Sequence, residues 1–234
     1  MRTKAVIVLA IALGSPQAAT ALSPPDPSLP APSQFVSRIT NPWFPLLPGS
    51  VYVYRGTKNG KQAIDVLVVT HRKRTIDGIR ATVVNDRLYE NGRLAERTTD
   101  WYAQDGSGTV WYLGEKTATL NARGKVLGTA GSWMAGVGGA HAGIYMPGHP
   151  QVGQVARQEY SKGQAEDQFK ILHFGARVDV GAVSSRHALL TQETTGLEPG
   201  VVDHKLYVRG IGTALEVTVK GGNERLELIS VSRP

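Results

Sequence analysis

IRATVVNDRLYENGRLAERTTDWYAQDGSGTVWYLGE, residues 79–115, decides the fold class. β-branched and aromatic residues recur through three runs, Ile79 to Tyr89, Leu94 to Gln104 and Thr109 to Glu115, broken by Asn91-Gly92 and Gly106-Ser107-Gly108. Asn and Gly accept the positive φ of tight hairpin turns, so the runs read as consecutive antiparallel strands.

The same punctuation continues on both sides. Val51 to Arg55 and Gln62 to His71 precede the triplet, joined through Lys58-Asn59-Gly60. Gln154 to Tyr160, Ala165 to Phe174, Arg177 to Val183, Ala188 to Thr194, His204 to Arg209, Thr213 to Val219 and Arg225 to Val231 follow, the last two joined through Lys220-Gly221-Gly222-Asn223. Apolar residues at helical spacing are nearly absent. About twelve strands in one antiparallel meander are too many for a flat open sheet, so an all-β domain curled into a barrel or two packed layers is expected. One long Gly-rich break, Leu127 to Gly153, interrupts the meander with GSWMAGVGGAHAGIYMPGHPQVG. Loops of this length in compact domains are functional or disordered, and Trp133, Tyr145 and Met146 favour an ordered loop folded over one end of the sheet. NPWFPLLPG, Asn41 to Gly49, combines prolines that exclude a regular helix with aromatics that need burial. It reads as a rigid segment plugging one end of the core.

The amino terminus has Arg2 and Lys4 ahead of the apolar run Ala5 to Gly14 and an A-x-A arrangement at Ala19 and Ala21. This is a signal peptide, residues 1–21, cut before Leu22, and it implies a periplasmic or extracellular location. SPPDPSLPAP then makes residues 22–34 a Pro-rich tether, leaving 35–234 as a single β domain. No cysteine is present, which excludes a disulfide framework, a thiolate nucleophile and lipid attachment through cysteine. No later run is apolar for long enough to be a transmembrane segment. The chain carries 26 Lys plus Arg against 19 Asp plus Glu. Its densest basic cluster, His71 to Arg74, reads as a solvated hairpin end, compatible with weak association with an anionic cell surface but not with nucleic acid as a partner.

Chemistry-bearing motifs are sparse. Gly136-Val137-Gly138-Gly139-Ala140-His141 starts like a dinucleotide loop, yet His141 replaces the third glycine and no strand-to-helix unit surrounds it. His141, Met146 and His149 form a set suited to copper, but no third histidine or carboxylate is fixed beside them, so neither a metal nor a cofactor is predicted. Strand alternation says more. A turn at Ser161 to Gln164 pairs Ala156 with Phe169, Arg157 with Gln168 and Gln158 with Asp167. That register turns Gln158 and Asp167 toward Tyr160, Phe169 and Ile171, and places Glu159, Arg157, Glu166, Gln168 and Lys170 on a wet face. In DWYAQD, Asp100 to Asp105, and the following strand, Trp101 and Trp111 alternate with Tyr102 and Tyr112, so both faces of the hairpin are aromatic. Aromatic walls with a few polar handles describe a ligand pocket, with Asp100, Trp101, Tyr102, Gln104, Tyr112, Trp133, Gln158 and Asp167 as candidate ligand-binding residues. Two-layer packing produces the same pattern without a ligand.

The motifs NPWFPLLPG, DWYAQD, VWYLGE, GSWMAG, MPGHP, QEYSKGQAED, LEPG and YVRGIGTALE together resemble those of a family of uncharacterised secreted bacterial proteins. The resemblance spans nearly the whole chain after residue 21 and implies secretion, with no activity attached. Members commonly carry Glu after the GSW motif, where this chain has Met134. The motif positions here include Asp100, Trp101, Gln104, Asp105, Trp133, Glu159, Glu166 and Asp167. The function expected first is therefore a non-catalytic binding domain for a small or partly apolar ligand or an envelope component, held in an aromatic-lined cavity. The alternatives are a carboxylate-based hydrolase, isomerase or cyclase using Asp167 and Asp100 as catalytic acids, and a structural or interaction protein without a small-molecule site. The sequence leaves open whether it is an enzyme.

Overall fold

A computed structural model describes residues 24–234; the signal-peptide reading falls on residues outside these. After a short 3-10 turn, Pro32–Gln34, the chain runs through β1 Phe35–Val36, β2 Val51–Lys58, β3 Lys61–Ile76, β4 Ile79–Glu90, β5 Arg93–Asp105, β6 Val110–Leu120, β7 Val126–Gly128, β8 Trp133–Met134 and β9 His141–Met146. It continues through β10 Val155–Arg157, β11 Glu159–Tyr160, β12 Asp167–Val180, β13 Val183–Thr195, β14 Val202–Val208, β15 Gly212–Lys220 and β16 Arg225–Ser232. The pairs are antiparallel and form one sheet in the order β10-β12-β13-β14-β15-β16-β2-β3-β4-β5-β6-β9-β11. Asn59, Asp77 and Asn91 take positive φ ahead of Gly60, Gly78 and Gly92, the hairpin chemistry read from the sequence.

The two edges of this sheet, β10 and β11, are consecutive in the chain, with only Gln158 between them. Ala156 pairs with Phe169 on one side, and Glu159 pairs with Ala142 on the other. A single stretch, Val155 to Tyr160, thus spans the one seam of a nearly closed barrel. Gly143 permits the crossing, because a Cβ there would stand 2.3 Å from the Gln158 carbonyl carbon.

Several expectations change. The Gly-rich break is not a loop over one end: it supplies β8 and β9, which pair with β6 and complete the barrel wall. Its glycines mask the strand pattern while allowing close backbone approach. Ala165 to Phe174 and Arg177 to Val183 are not two strands with a turn between them, since β12 runs through this region with register shifts around Gly175. The basic cluster at His71 to Arg74 lies within β3 rather than at its end, across a register shift between Val69 and Lys73. The Pro-rich stretch is not a free tether in its described part: Asp26 pairs with Arg157 and His141, and Leu29 packs against the core.

The Asn41 to Gly49 segment does plug one end, with Trp43, Phe44 and Leu46 buried. Asn41 staples it. Its amide donates to the Gly108 and Pro147 carbonyls at 2.8 and 3.0 Å, and its side-chain oxygen accepts from the Trp43 and Phe44 amides. Below the plug the barrel is filled by Tyr52, Val69, Val84, Ile171, Tyr207 and Leu228. No helix among the described residues is long and apolar enough to cross a membrane.

Candidate functional site

Inward positions toward the hairpin ends opposite the plug are polar. Alternation carries Tyr54 and Lys58 of β2, Asp65 of β3, Asp86 of β4, Glu96 and Asp100 of β5, Lys205 of β14 and Glu216 of β15 to one side of the wall. In β6 a register shift opposite Trp101 and Tyr102, with Gly114 at a φ of 137°, sets both Tyr112 and Glu115 inward although they are three residues apart. Tyr112 therefore reaches across to Asp100, donating to its Oδ1 at 2.7 Å.

An interior cavity of about 170 Å³ separates the plug from this polar half. Phe44, Tyr54, Tyr102 and Tyr145 line one part of it, and Asp65, Asp86, Asp100, Lys205 and Glu216 another. A second chamber of about 150 Å³ shares Asp65, Asp86 and Asp100 and adds Lys58, Glu96 and Glu115. The rings form a continuous cluster: Tyr102 stacks on Tyr112 at 4.6 Å, Phe44 meets Tyr145 at 4.4 Å, and Trp133 stands edge-on to Tyr112 at 5.4 Å. Larger depressions lie on the surface, one at the hairpin tips near Lys61, Glu90 and Asn121, the other beside Trp43, Phe174 and Arg209. Neither offers a comparable set of acids without counter-ions.

The electrostatics of the cavity are one-sided. Lys205 sits 2.8 Å from Glu193 and 3.7 Å from Glu216, and Lys58 lies 3.8 Å from Glu224. Among the described residues, Asp65, Asp86, Glu96, Asp100 and Glu115 form no ion pair with lysine or arginine. Asp65 Oδ1 is buried without a hydrogen-bond partner in the protein. Burial, then the Asp65 charge beside it, pushes Asp86 well above the usual carboxylate range. Burial raises Asp100 to about 7 against the opposing Tyr112 hydrogen bond, and burial with the Asp100 charge raises Glu115 to about 8. Carboxyls in this state hold protons near neutrality and give them up to an incoming positive charge.

No family model matches the chain, and no curated protein does. A solved protein of YmcC-like fold from Bacteroides fragilis is similar at 14% identity with a TM-score of 0.48, over 82% of this chain and 99% of that one.

Of the residues nominated from sequence, Asp100 and Tyr102 line the cavity, and Tyr112 and Trp133 support it. Trp101 points to the other side of β5, beneath the Arg74 guanidinium at 4.3 Å. Gln104 holds the plug, its side-chain oxygen accepting from the Thr40 and Asn41 amides at 2.7 and 2.8 Å. Gln158 and Asp167 sit at the seam, the Gln158 amide donating to the Asp167 carbonyl at 2.8 Å. Asp167 does not line the cavity with Asp100, so the two proposed acids are not one site. Glu159 is not on a wet face: it is buried, accepts from Trp133 Nε1 at 2.7 Å, and is pushed well up by burial and then by Asp167. Chain crossing at Gln158 breaks the alternation that assigned its face. His141 pairs with Asp26, Met146 is buried and His149 lies beside the surface cleft at the plugged end, so these three do not converge. Sequence reading missed Phe44, Tyr54, Asp65, Asp86, Glu115 and Lys205 as cavity residues. The Lys58-Asn59-Gly60 turn pairs Tyr54 with Asp65, and following that register exposes Asp65 as a lone acid on an inward face.

Proposed function

We propose that this is an exported binding protein whose barrel holds a small, partly apolar ligand in the interior cavity. Export rests on the reading of residues 1–21. The binding reading rests on one observation: the cavity brings an aromatic wall against buried acids that lack protein counter-ions. A barrel stabilised by burial alone gains nothing from such acids, whereas a ligand that reaches both surfaces offsets their desolvation. Native mass spectrometry of the chain purified from its own host tests this. A non-covalent adduct is expected, and Thr213→Phe, which fills the cavity from its lining, abolishes it. An adduct that survives Thr213→Phe places the ligand elsewhere.

A second reading, a carboxylate enzyme, is favoured by the Asp100 carboxyl held at about 7 beside the Tyr112 hydroxyl, which suits general acid-base work near neutrality. Its partner acid is then Asp86 or Glu115 rather than Asp167.

A further inference from the structure

The chain is basic overall, with a formal charge of +7, yet its cavity concentrates carboxylates. We propose that the cavity binds a small organic ammonium ion, its apolar body against Phe44, Tyr54, Tyr102 and Tyr145 and its nitrogen among Asp65, Asp86 and Asp100. This rests on the reading of the cavity as a ligand site and names the ligand's class.

Two independent features point the same way. Aromatic faces carry negative potential and attract a desolvated cation, and four rings meet at one side of the space. On the other side, Asp65 Oδ1 is buried without a partner, and the Asp86 carboxyl meets Asp65, itself an acid. A neutral ligand satisfies the rings and leaves these acids uncompensated. A hard metal ion needs a cage of oxygen ligands, which ring faces do not provide. An ammonium joined to an apolar body matches both surfaces, and the size is right, since cavities of about 150 Å³ accept benzene-sized molecules. The resident lysines do not fill this role, because Lys205 is held by Glu193 and Glu216, and Lys58 lies toward Glu224.

Proton linkage follows. Facing the site are Tyr54 and Lys58 from β2, Asp65 from β3, Asp86 from β4, Glu96, Asp100 and Tyr102 from β5, and Tyr112 and Glu115 from β6. Tyr145 from β9, Glu193 from β13, Lys205 from β14 and Glu216 from β15 complete the set. With Asp100 at about 7 and Glu115 at about 8, ammonium binding expels protons, so affinity rises as pH increases through this range.

Isothermal titration of the full chain with phenethylamine and with phenylethyl alcohol, its neutral analogue, separates charge from shape. At pH ~8 the amine should bind at least ~10-fold more tightly than the alcohol, and its affinity should fall at pH ~6. Asp86→Asn and Asp100→Asn should each weaken the amine by about tenfold or more while leaving the alcohol unchanged. Asp65→Asn replaces either variant if circular dichroism shows it unfolded. Equal binding of amine and alcohol overturns the ammonium inference and leaves the cavity reading standing. Unchanged amine affinity in the amide variants also overturns it. If neither probe binds, the ammonium inference falls, and the Thr213→Phe adduct experiment decides the cavity reading separately.

Discussion

Asp100 and Asp105 lie on the same strand, each only 6% exposed, yet they belong to opposite ends of the barrel's chemistry. Asp105, toward the plug, is saturated: it accepts from the Ser107 amide and hydroxyl, the Thr109 amide and Trp111 Nε1, at 2.6 to 3.1 Å. Asp100, facing the cavity, accepts from Tyr112 alone. The plug end is built the same way throughout its Asn41 and Gln104 contacts, the buried Ser50 hydroxyl being an exception. Burial by itself therefore does not mark a functional acid. At the cavity end donors are scarcer: Asp65 Oδ1 has none, Asp86 meets the acid Asp65, and Glu115 accepts from the Thr117 hydroxyl at 3.0 Å.

The comparison breaks if the two aspartates respond alike to the same substitution. Asp105→Asn strands the Trp111 N–H or the turn amides and should cost about 3 kcal/mol in denaturant unfolding. A second test uses pH. Asp100 and Glu115 bind protons more tightly folded than unfolded, their ordinary values being 3.8 and 4.5 against about 7 and about 8. The folded state thus holds extra protons between these limits, and stability is greatest below the ordinary values and is lost as pH rises through the folded ones. The slope is at most about 1.4 kcal/mol per pH unit for each group, and melts of the unliganded protein from acid to mildly basic pH should show it. A flat profile would mean that the cavity acids are better solvated than their surroundings indicate.

Sharpening the contrast, Asp100→Asn should raise stability by about 1 to 2 kcal/mol at pH ~8 and change it little at pH ~5, the opposite sign to Asp105→Asn. Tyr112→Phe has the smallest expected effect on unfolding, under about 1 kcal/mol, because it removes one hydrogen bond. Its signature is electrostatic. Without that donor Asp100 should titrate above its present value, visible by infrared spectroscopy of the carboxyl band.

How far the sequence could be read depended on whether local alternation survived. The turn at Ser161 to Gln164 correctly paired Ala156 with Phe169 and Arg157 with Gln168, and Phe169 and Ile171 are buried while Lys170 is exposed. One residue further on, Gln158 and Glu159 are both buried, since the chain changes neighbours there, and a two-residue period has no way to register this. Gly143 interrupts β9 without a side chain, and Gly136, Gly138 and Gly139 just ahead of it read as loop. Tyr102 and Asp100 were visible as polar insertions among aromatics. Asp65 and Asp86 were not, because their strands carry apolar residues on both faces and only cross-strand pairing reveals which side is inward.

The six residues from Val155 to Tyr160 have a kinetic consequence as well. Until they pair with both β12 and β9, the partly folded chain presents two open strand edges, templates on which another molecule can add a strand. Both partners of the clasp are near it in sequence, Phe169 facing Ala156 and Ala142 facing Glu159, so its own loop-closure cost is low; the distant pairing is β16 with β2, Ser232 against Val51. Until that distant pairing forms, β2 and β16 are open edges as well, and strand exchange between copies competes with closure of the barrel. A side chain larger than hydrogen at Gly143 would obstruct the crossing at Gln158, leave the β9 and β12 edges open and favour swapped dimers or aggregates.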